Sequence, residues 1–221
     1  MSFGPIIKTE TSTGLHIELA PFTREEVVRF AEPFSHLSVT RFLSMTFSQT
    51  KETEEAWYDS IIADKNSLNW GIWVTEDKRK LIGNFSLRDI DRTVLAQATN
   101  GIVIIDKVFW GKGVASAVHR ASLLYAFREL GLVRVKTAVL EGNEASRVSM
   151  EKSGFITVYT ERNTHFRGGK LRHQMNLECL NPDDWAWRLW WGDDRPTRKA
   201  VEARLLTKAA LDLAEKQVAL L

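Results

Sequence analysis

Polar and apolar residues alternate over Leu15-His16-Ile17-Glu18-Leu19, which predicts a strand. Thr23 with Glu26 three residues later has the form of a capping box and predicts a helix through about Ala31, ended by Pro33. Residues 34–48 are apolar but have no period (Phe34, Phe42, Leu43, Met45, Phe47). Thr50 or Thr53 opens a second helix that runs to about Asp64, with Trp57 and Ile61 four apart on one face. Strands are expected over 69–75 and 80–88, joined by the charged turn Glu76-Asp77-Lys78-Arg79, and again over about 99–106. Val118, Ala121, Ser122, Leu124, Tyr125 and Leu130 carry a helical period, and Arg134 to Val139 reads as the next strand. A short helix opens at Asn143 and stops at Gly154. A hairpin then pairs about 155–162 with 171–178 around Arg167-Gly168-Gly169-Lys170. The order is antiparallel α+β at first and β-α-β in the middle, an α+β fold with mixed α/β character. Residues 1–14 are polar and read as a loose lead-in. No internal repeat is present.

The pattern changes near Asn181-Pro182. Trp185, Trp187, Trp190 and Trp191 crowd together, Gly192-Asp193-Asp194-Arg195-Pro196 breaks the chain, and helix formers follow from Thr197. Val201, Leu205, Leu206, Ala209, Ala210, Leu213 and Leu220 would share about half of that last helix's surface. The tryptophans are expected to cover the core or to meet a second subunit, so a homodimer through this tail is one arrangement it allows.

Composition narrows the picture only a little. A chain of 221 residues suits one domain plus an appendage, and its net charge of +2 makes no bulk electrostatic case for nucleic acid. The single cysteine, Cys179, excludes an internal disulfide and a cysteine-built metal site, so no metal is expected. No signal-like amino terminus and no long apolar run is seen, so a soluble, cytoplasmic protein with no membrane partner is expected.

The chemistry concentrates at Phe109-Trp110-Gly111-Lys112-Gly113-Val114-Ala115-Ser116, between the apolar strand Ile102-Val103-Ile104-Ile105 and the long helix. A Gly-x-Gly turn lets the backbone approach a bulky anion, and the helix behind it aims free N–H groups and its positive dipole end at the same point. The turn is either a pyrophosphate cradle or a tight strand-to-helix connection that uses glycine for packing. A Walker loop is excluded because no Gly-Lys-Ser/Thr follows the required gap. A dinucleotide fingerprint is excluded because Ser116 stands where the third glycine would be. The second marked stretch is Asn143-Glu144-Ala145-Ser146-Arg147-Val148-Ser149-Met150-Glu151-Lys152-Ser153-Gly154-Phe155.

Taken together, Trp-Gly-Lys-Gly-x-Ala, a helix, a strand, and Asn-x-x-Ser…Glu-Lys-x-Gly-Phe resemble the GNAT acyltransferase superfamily, most closely its RimJ/RimL-type N-acetyltransferases. The resemblance covers roughly residues 15–178 and is strongest over 101–156. It implies a mixed, mostly antiparallel sheet flanked by helices over 15–180 and is silent about 181–221, which the residues themselves make a Trp-rich segment and a C-terminal helix. It also implies acetyl-CoA as co-substrate. The main chain of Gly111, Lys112, Gly113, Val114, Ala115 and Ser116 would hold the pyrophosphate. The strand backbone at Val103, Ile104 and Ile105 would pair with the pantetheine arm, and the Asn143 amide would bond the same arm. Trp110 stands where the family usually has Gln or Arg.

Many relatives have a tyrosine in the Asn143 helix, and this chain has none between Tyr125 and Tyr159. In the subgroup the serine three after the asparagine is the suggested proton donor, which is Ser146 here. Its hydroxyl suits hydrogen bonding to a departing thiolate better than outright proton donation. The strand glutamate of relatives is replaced by Thr99 and Asn100, so the base is sought among Asp89, Glu141, Glu144 and His165, with Glu141 beside the expected site. A base is dispensable if water relays remove the proton and positioning supplies the rate. Phe34, Phe42, Phe47, Trp57, Trp70 and Phe85 are candidates for the acceptor pocket, and Asp89 and Asp91 for receiving a cationic amine. The expected activity is acetyl transfer to a primary amine, on a protein N-terminus or lysine or else on a small amine, by direct attack in a ternary complex. The alternative is a catalytically silent CoA-binding or partner-docking protein of the same fold.

Overall fold

The computed structural model describes residues 3–44, 48–76, 78–93 and 95–221. Phe47, one of the aromatic acceptor-pocket candidates, lies outside them. The sheet strands are β1 (Ile7–Glu10), β2 (His16–Ala20), β3 (Leu68–Val74), β4 (Lys80–Asp91), β5 (Gln97–Ile104), β6 (Arg134–Leu140), β7 (Ile156–Arg167), β8 (Lys170–Leu180) and β9 (Ala219–Leu220). The helices are α1 (Arg24–Val27), α2 (Ala31–Phe34), α3 (Leu37–Thr40), α4 (Lys51–Ala63), α5 (Val114–Arg128), α6 (Glu144–Glu151), α7 (Asp184–Trp191) and α8 (Arg198–Gln217). The strands form one sheet in the order β7-β8-β6-β5-β4-β3-β2-β1-β9. Neighbours are antiparallel except β5 and β6.

That one parallel contact positions the site. β5 and β6 are in register only at Gln97–Arg134, Ala98–Val135 and Thr99–Lys136. Beyond Thr99 the two strands part, while β5 stays paired to β4 as far as Ile104 and β6 stays paired to β8 as far as Leu140. A wedge therefore opens in the middle of the sheet. α5 lies on one face, burying Val114, Ala117, Val118, Ala121, Leu124 and Phe127 in the main core. On the other side Phe22, Val27, Phe30 and Phe34 pack with Trp57 and Ile61 of α4 in a second, aromatic cluster.

The predicted capping box at Thr23 forms, and a second box forms ahead of α4, where a threonine cap was predicted. Thr23 accepts from Glu26 N while Glu26 accepts from Thr23 N, and Thr50 and Thr53 do the same ahead of α4. Thr50 is thus the cap of the second helix. Pro33 does not end the first helical region but sits inside α2, because a proline in the first turn has no hydrogen-bonded N–H to lose.

Two expectations are corrected. The lead-in is not loose, for Ile7 is fully buried and β1 carries β2 on one edge and β9 on the other. The face that α8 buries is also not the leucine-rich one. Ala200, Ala203, Thr207, Ala210, Leu211 and Ala214 are buried, whereas Val201, Leu205, Leu206 and Leu213 are exposed. Small residues are needed there because α8 passes very close to Gly154. A Cβ on that glycine would lie 1.9 Å from Thr207 Oγ1 and 2.9 Å from Ala203 O. The tryptophans of α7 fold back onto arginines, with Arg134 over Trp190 and Arg204 over Trp187. No helix among the described residues is long and apolar enough to cross a membrane.

Candidate active site

The glycine turn closes β5 into α5. Gly111 and Gly113 both have left-handed backbone, φ 73° and 80°, and Gly113 is the N-cap of α5. Gly113 supplies no capping side chain, so the first N–H groups of the helix are left for a ligand. The first main-chain bond into the helix is Ala117 N to Gly113 O, and the amides of Val114, Ala115 and Ser116 precede it. This is a cradle that fits a pyrophosphate, with the Lys112 side chain beside it. The β1–β2 turn braces the loop from behind. Thr13 Oγ1 donates to Lys112 O at 3.4 Å, and Thr11 and Ser12 lie next to Gly113. Ser116 Oγ and Ser149 Oγ, 3.3 Å apart, join α5 to α6.

The edge of β5 that faces the wedge follows from strand alternation. Ile105 donates its N–H to Ile82 O on β4. Main-chain groups at every second residue point the same way, so Val103 also faces β4, while Ile102 and Ile104 face the wedge. The groups able to pair with an extended arm are therefore the Ile102 amide and carbonyl and the Ile104 amide. The Ile104 carbonyl already accepts from Trp110 Nε1 at 2.9 Å. Of the expected trio Val103, Ile104 and Ile105, only Ile104 turns its main chain toward the gap, and Ile102 joins it.

α6 closes the other side. Asn143 is its N-cap, and its side chain accepts from Ser146 N at 3.4 Å. Oδ1 is thereby engaged, which leaves the Nδ2 group to donate to a ligand. Asn143, Ser146 and Met150 all line one cavity of about 520 Å³ that runs from the wedge to α4. β5 contributes Asn100 to Val103, β6 contributes Thr137 to Leu140, and Phe34, Phe42 and Trp57 form an aromatic end.

The structure brings Ser146, Asn143 and His165 to this cavity but not Glu141. Glu141 sits exposed on the turn after β6, where its carboxylate accepts from His173 N at 3.2 Å. Asp89 and Asp91 also lie away from it, and Asp91 holds Thr93 N and Oγ1, each at 2.8 Å. Trp70 and Phe85 are core residues, 1% and 0% exposed, and Glu144 is paired with Arg147.

A carboxylate that the sequence reading passed over does reach the cavity. Glu54 lies on the face of α4 that carries Trp57, Ile61 and then Asp64 to the lining. It is 2% exposed, and its carboxylate makes no hydrogen bond or ion pair among the described residues. Burial without a partner pushes its carboxyl up to about 7. The signal was present, since Glu54 precedes Trp57 and Ile61 by three and seven residues and so belongs to their apolar stripe. Asn100 is the second such group, 3% exposed with both amide atoms unpartnered among the described residues. No group of residues suited to hold a metal occurs among the described residues.

The family profile "Acetyltransferase (GNAT) domain" matches residues 16–156. The chain belongs to the GNAT acetyltransferase family. It is 33% identical over 156 residues to the Probable N-acetyltransferase YjcK of Bacillus subtilis (strain 168), which covers 70% of this chain and 83% of that protein. Among solved structures, Mycobacterium smegmatis RimJ in complex with CoA-disulfide superposes with a TM-score of 0.70 at 16% identity, over 85% of this chain and 93% of that one. A Vibrio cholerae spermidine N-acetyltransferase with CoA and spermine gives 0.68 at 19% identity, over 75% and 95%. At such identities the two structures establish the GNAT fold. As a GNAT protein with these relatives, the chain is an acetyl-CoA-dependent N-acetyltransferase whose co-substrate is acetyl-CoA.

Proposed function

We propose that this acetyltransferase moves the acetyl group of acetyl-CoA to a primary amine of a protein, at its N-terminus or at a lysine, by direct attack in a ternary complex. Small amines form the second acceptor class. One observation carries the reading. A single cavity joins the α6 groups Asn143 and Ser146 and the free edge of β5 to the aromatic face of α4, so both substrates have room in it together.

The roles follow from the placements. The amides of Gly111 to Ser116 grip the pyrophosphate, Lys112 adds charge, and Ile102, Ile104 and Asn143 Nδ2 hold the pantetheine arm as a strand partner would. In this reading the Ser146 hydroxyl, on the cavity wall, hydrogen-bonds the departing thiolate and lowers the barrier to C–S cleavage. The aromatic end takes the carbon skeleton of the acceptor. The spermine-bound neighbour brings polyamines into consideration. Among the described residues the carboxylates lining this cavity are Glu54 and Asp64, and Arg88 lines it too, which matches one ammonium group better than a chain of them.

The test is thiol release from acetyl-CoA with three probe classes: peptides with a free N-terminus and no lysine, N-terminally blocked peptides with one lysine, and spermine. Turnover with either peptide class is the expected result. Acetyl-CoA binding with no thiol release and no acetylated product from any probe overturns the proposal in favour of a silent CoA-binding protein.

A further inference from the structure

The roles given above assign no residue to receive the proton of the incoming ammonium, and His165 and Asp64 share the cavity wall with Glu54. Glu141 is turned away, and Thr99 and Asn100 cannot accept it at neutral pH. We infer that Glu54, from the buried face of α4, is the general base that takes this proton from the acceptor amine. The inference rests on the proposed function and adds a residue and a step to it.

Geometry carries it. A buried carboxylate ordinarily has a partner, because an unpaired one is costly. Glu54 has none among the described residues, lies at the wall of the cavity, and shares that wall with Trp57, Asn100 and Ser146. Asn100 is equally buried and equally unpartnered. Two orphaned polar side chains at one cavity mark where a polar substrate group completes the hydrogen bonding. Among the described residues no cation is paired with Glu54, so an ammonium group is the partner its charge calls for.

Its ionisable neighbours can be named. Asp64 after α4, Arg88 on β4 and His165 on β7 are the other ionisable groups on the cavity wall. The segment packed on α4 carries Arg24, which is paired with Asp59, and Glu25, Glu26 and Arg29, none of which lines the cavity. Burial is the sole cause of the shift in Glu54, which places its titration near neutrality, where a base is most effective.

The protons and electrons balance. The Glu54 carboxylate takes one proton from R–NH3⁺ and leaves R–NH2, whose lone pair forms the C–N bond to the thioester carbon. The C–S bond then breaks with its electron pair on sulfur. The second nitrogen proton passes to that thiolate by way of the Ser146 hydroxyl, and Glu54 returns its own proton to solvent. One proton is released per turnover.

The experiment compares wild type with Glu54→Gln by two readouts, acetyl-CoA affinity by calorimetry and the pH profile of kcat/KM with the peptide probes. Equal affinities show that the variant folds and keeps its coenzyme grip. The expected result is a wild-type profile that rises to a plateau above pH ~7, and a variant lower by roughly 100-fold or more that lacks this limb. A variant with wild-type kcat/KM, or one lowered uniformly with the limb retained, overturns the role of Glu54 and leaves the amine acetyltransferase reading standing. A wild type silent with every probe overturns both.

Discussion

The sharpest consequence of an unpaired carboxylate at 2% exposure needs no substrate to measure. Burial pushes the Glu54 carboxyl up to about 7, against 4.5 for the free side chain. Between those two values the folded protein holds a proton that the unfolded chain has released, so stability falls as pH rises through this window. The contribution is intact below pH ~4.5 and lost above pH ~7. A shift of this size corresponds to about 3 kcal/mol. Gln is close in shape to the neutral acid and cannot ionise, so Glu54→Gln removes the penalty. The variant should match wild type at pH 4 and exceed it at pH 8 by about 3 kcal/mol, or roughly 6–12 °C in Tm for a chain of this length. Thermal unfolding of both proteins at the two pH values is the assay. Taking the difference between them at each pH cancels every other titrating group. His119 is the important one, for it is fully buried with both ring nitrogens unpartnered and is pushed down to about 4. Its contribution runs the other way, being present above pH ~6.5 and lost as pH falls toward 4. A Glu54→Gln variant no more stable than wild type at pH 8 refutes the reasoning, since it would mean that the carboxylate is solvated or paired.

Four further outcomes are expected. Gly113→Val forces a β-branched side chain into φ 80° at the helix cap, so calorimetric affinity for acetyl-CoA should fall roughly 100-fold or more; unchanged affinity refutes the loop assignment. Ser146→Ala should lower kcat by roughly 100-fold with coenzyme affinity retained, and an equal loss in both would make the serine a helix-start residue only. Gly154→Ala places a Cβ 1.9 Å from Thr207 Oγ1 at φ 91°, so denaturant unfolding should show a loss of about 2–4 kcal/mol. With Glu54 as base, a peptide α-amino group (pKa ~8) should be acetylated faster than a lysine side chain (pKa ~10.4), because proton transfer to the carboxylate is roughly 300-fold less uphill; equal kcat/KM for the two peptide probes at pH 7 counts against this.

Much of the architecture was legible because local signals and tertiary demands agree. Both threonine caps, the glycine turn before α5, the Asn143 cap and the Gly-Gly hairpin turn are set by a few residues whose backbone preferences nothing in the fold opposes. The misreadings arise where packing decides. β1 looks polar as a segment, and its strand character comes from pairing on both edges. α8 carries leucines on one face and alanines on another, and hydrophobicity alone favours the leucines, but close approach to Gly154 selects the alanines. The site shows the same division. The coenzyme loop is local in sequence, whereas the acceptor end draws on α2, α4, β4, β5 and β7 and cannot be read from spacing. Glu54 was visible in principle, as an acid in the stripe of Trp57 and Ile61, yet acids on amphipathic helices usually face water. The strand reading named Val103, Ile104 and Ile105 alike, whereas only Ile104 of the three turns its main chain to the gap, because a single residue of offset exchanges the two edges.

The parting of β5 and β6 after three paired residues leaves Ile102 and Ile104 as rungs without a facing rail. Their amides are thus natural reporters. Hydrogen exchange at these two positions should be fast in the free protein and slow once acetyl-CoA is added, while Val103 and Ile105, already tied to β4, keep their rates. A clock placed at alternate residues of one strand would distinguish a coenzyme lying along the gap from one held by its phosphates alone.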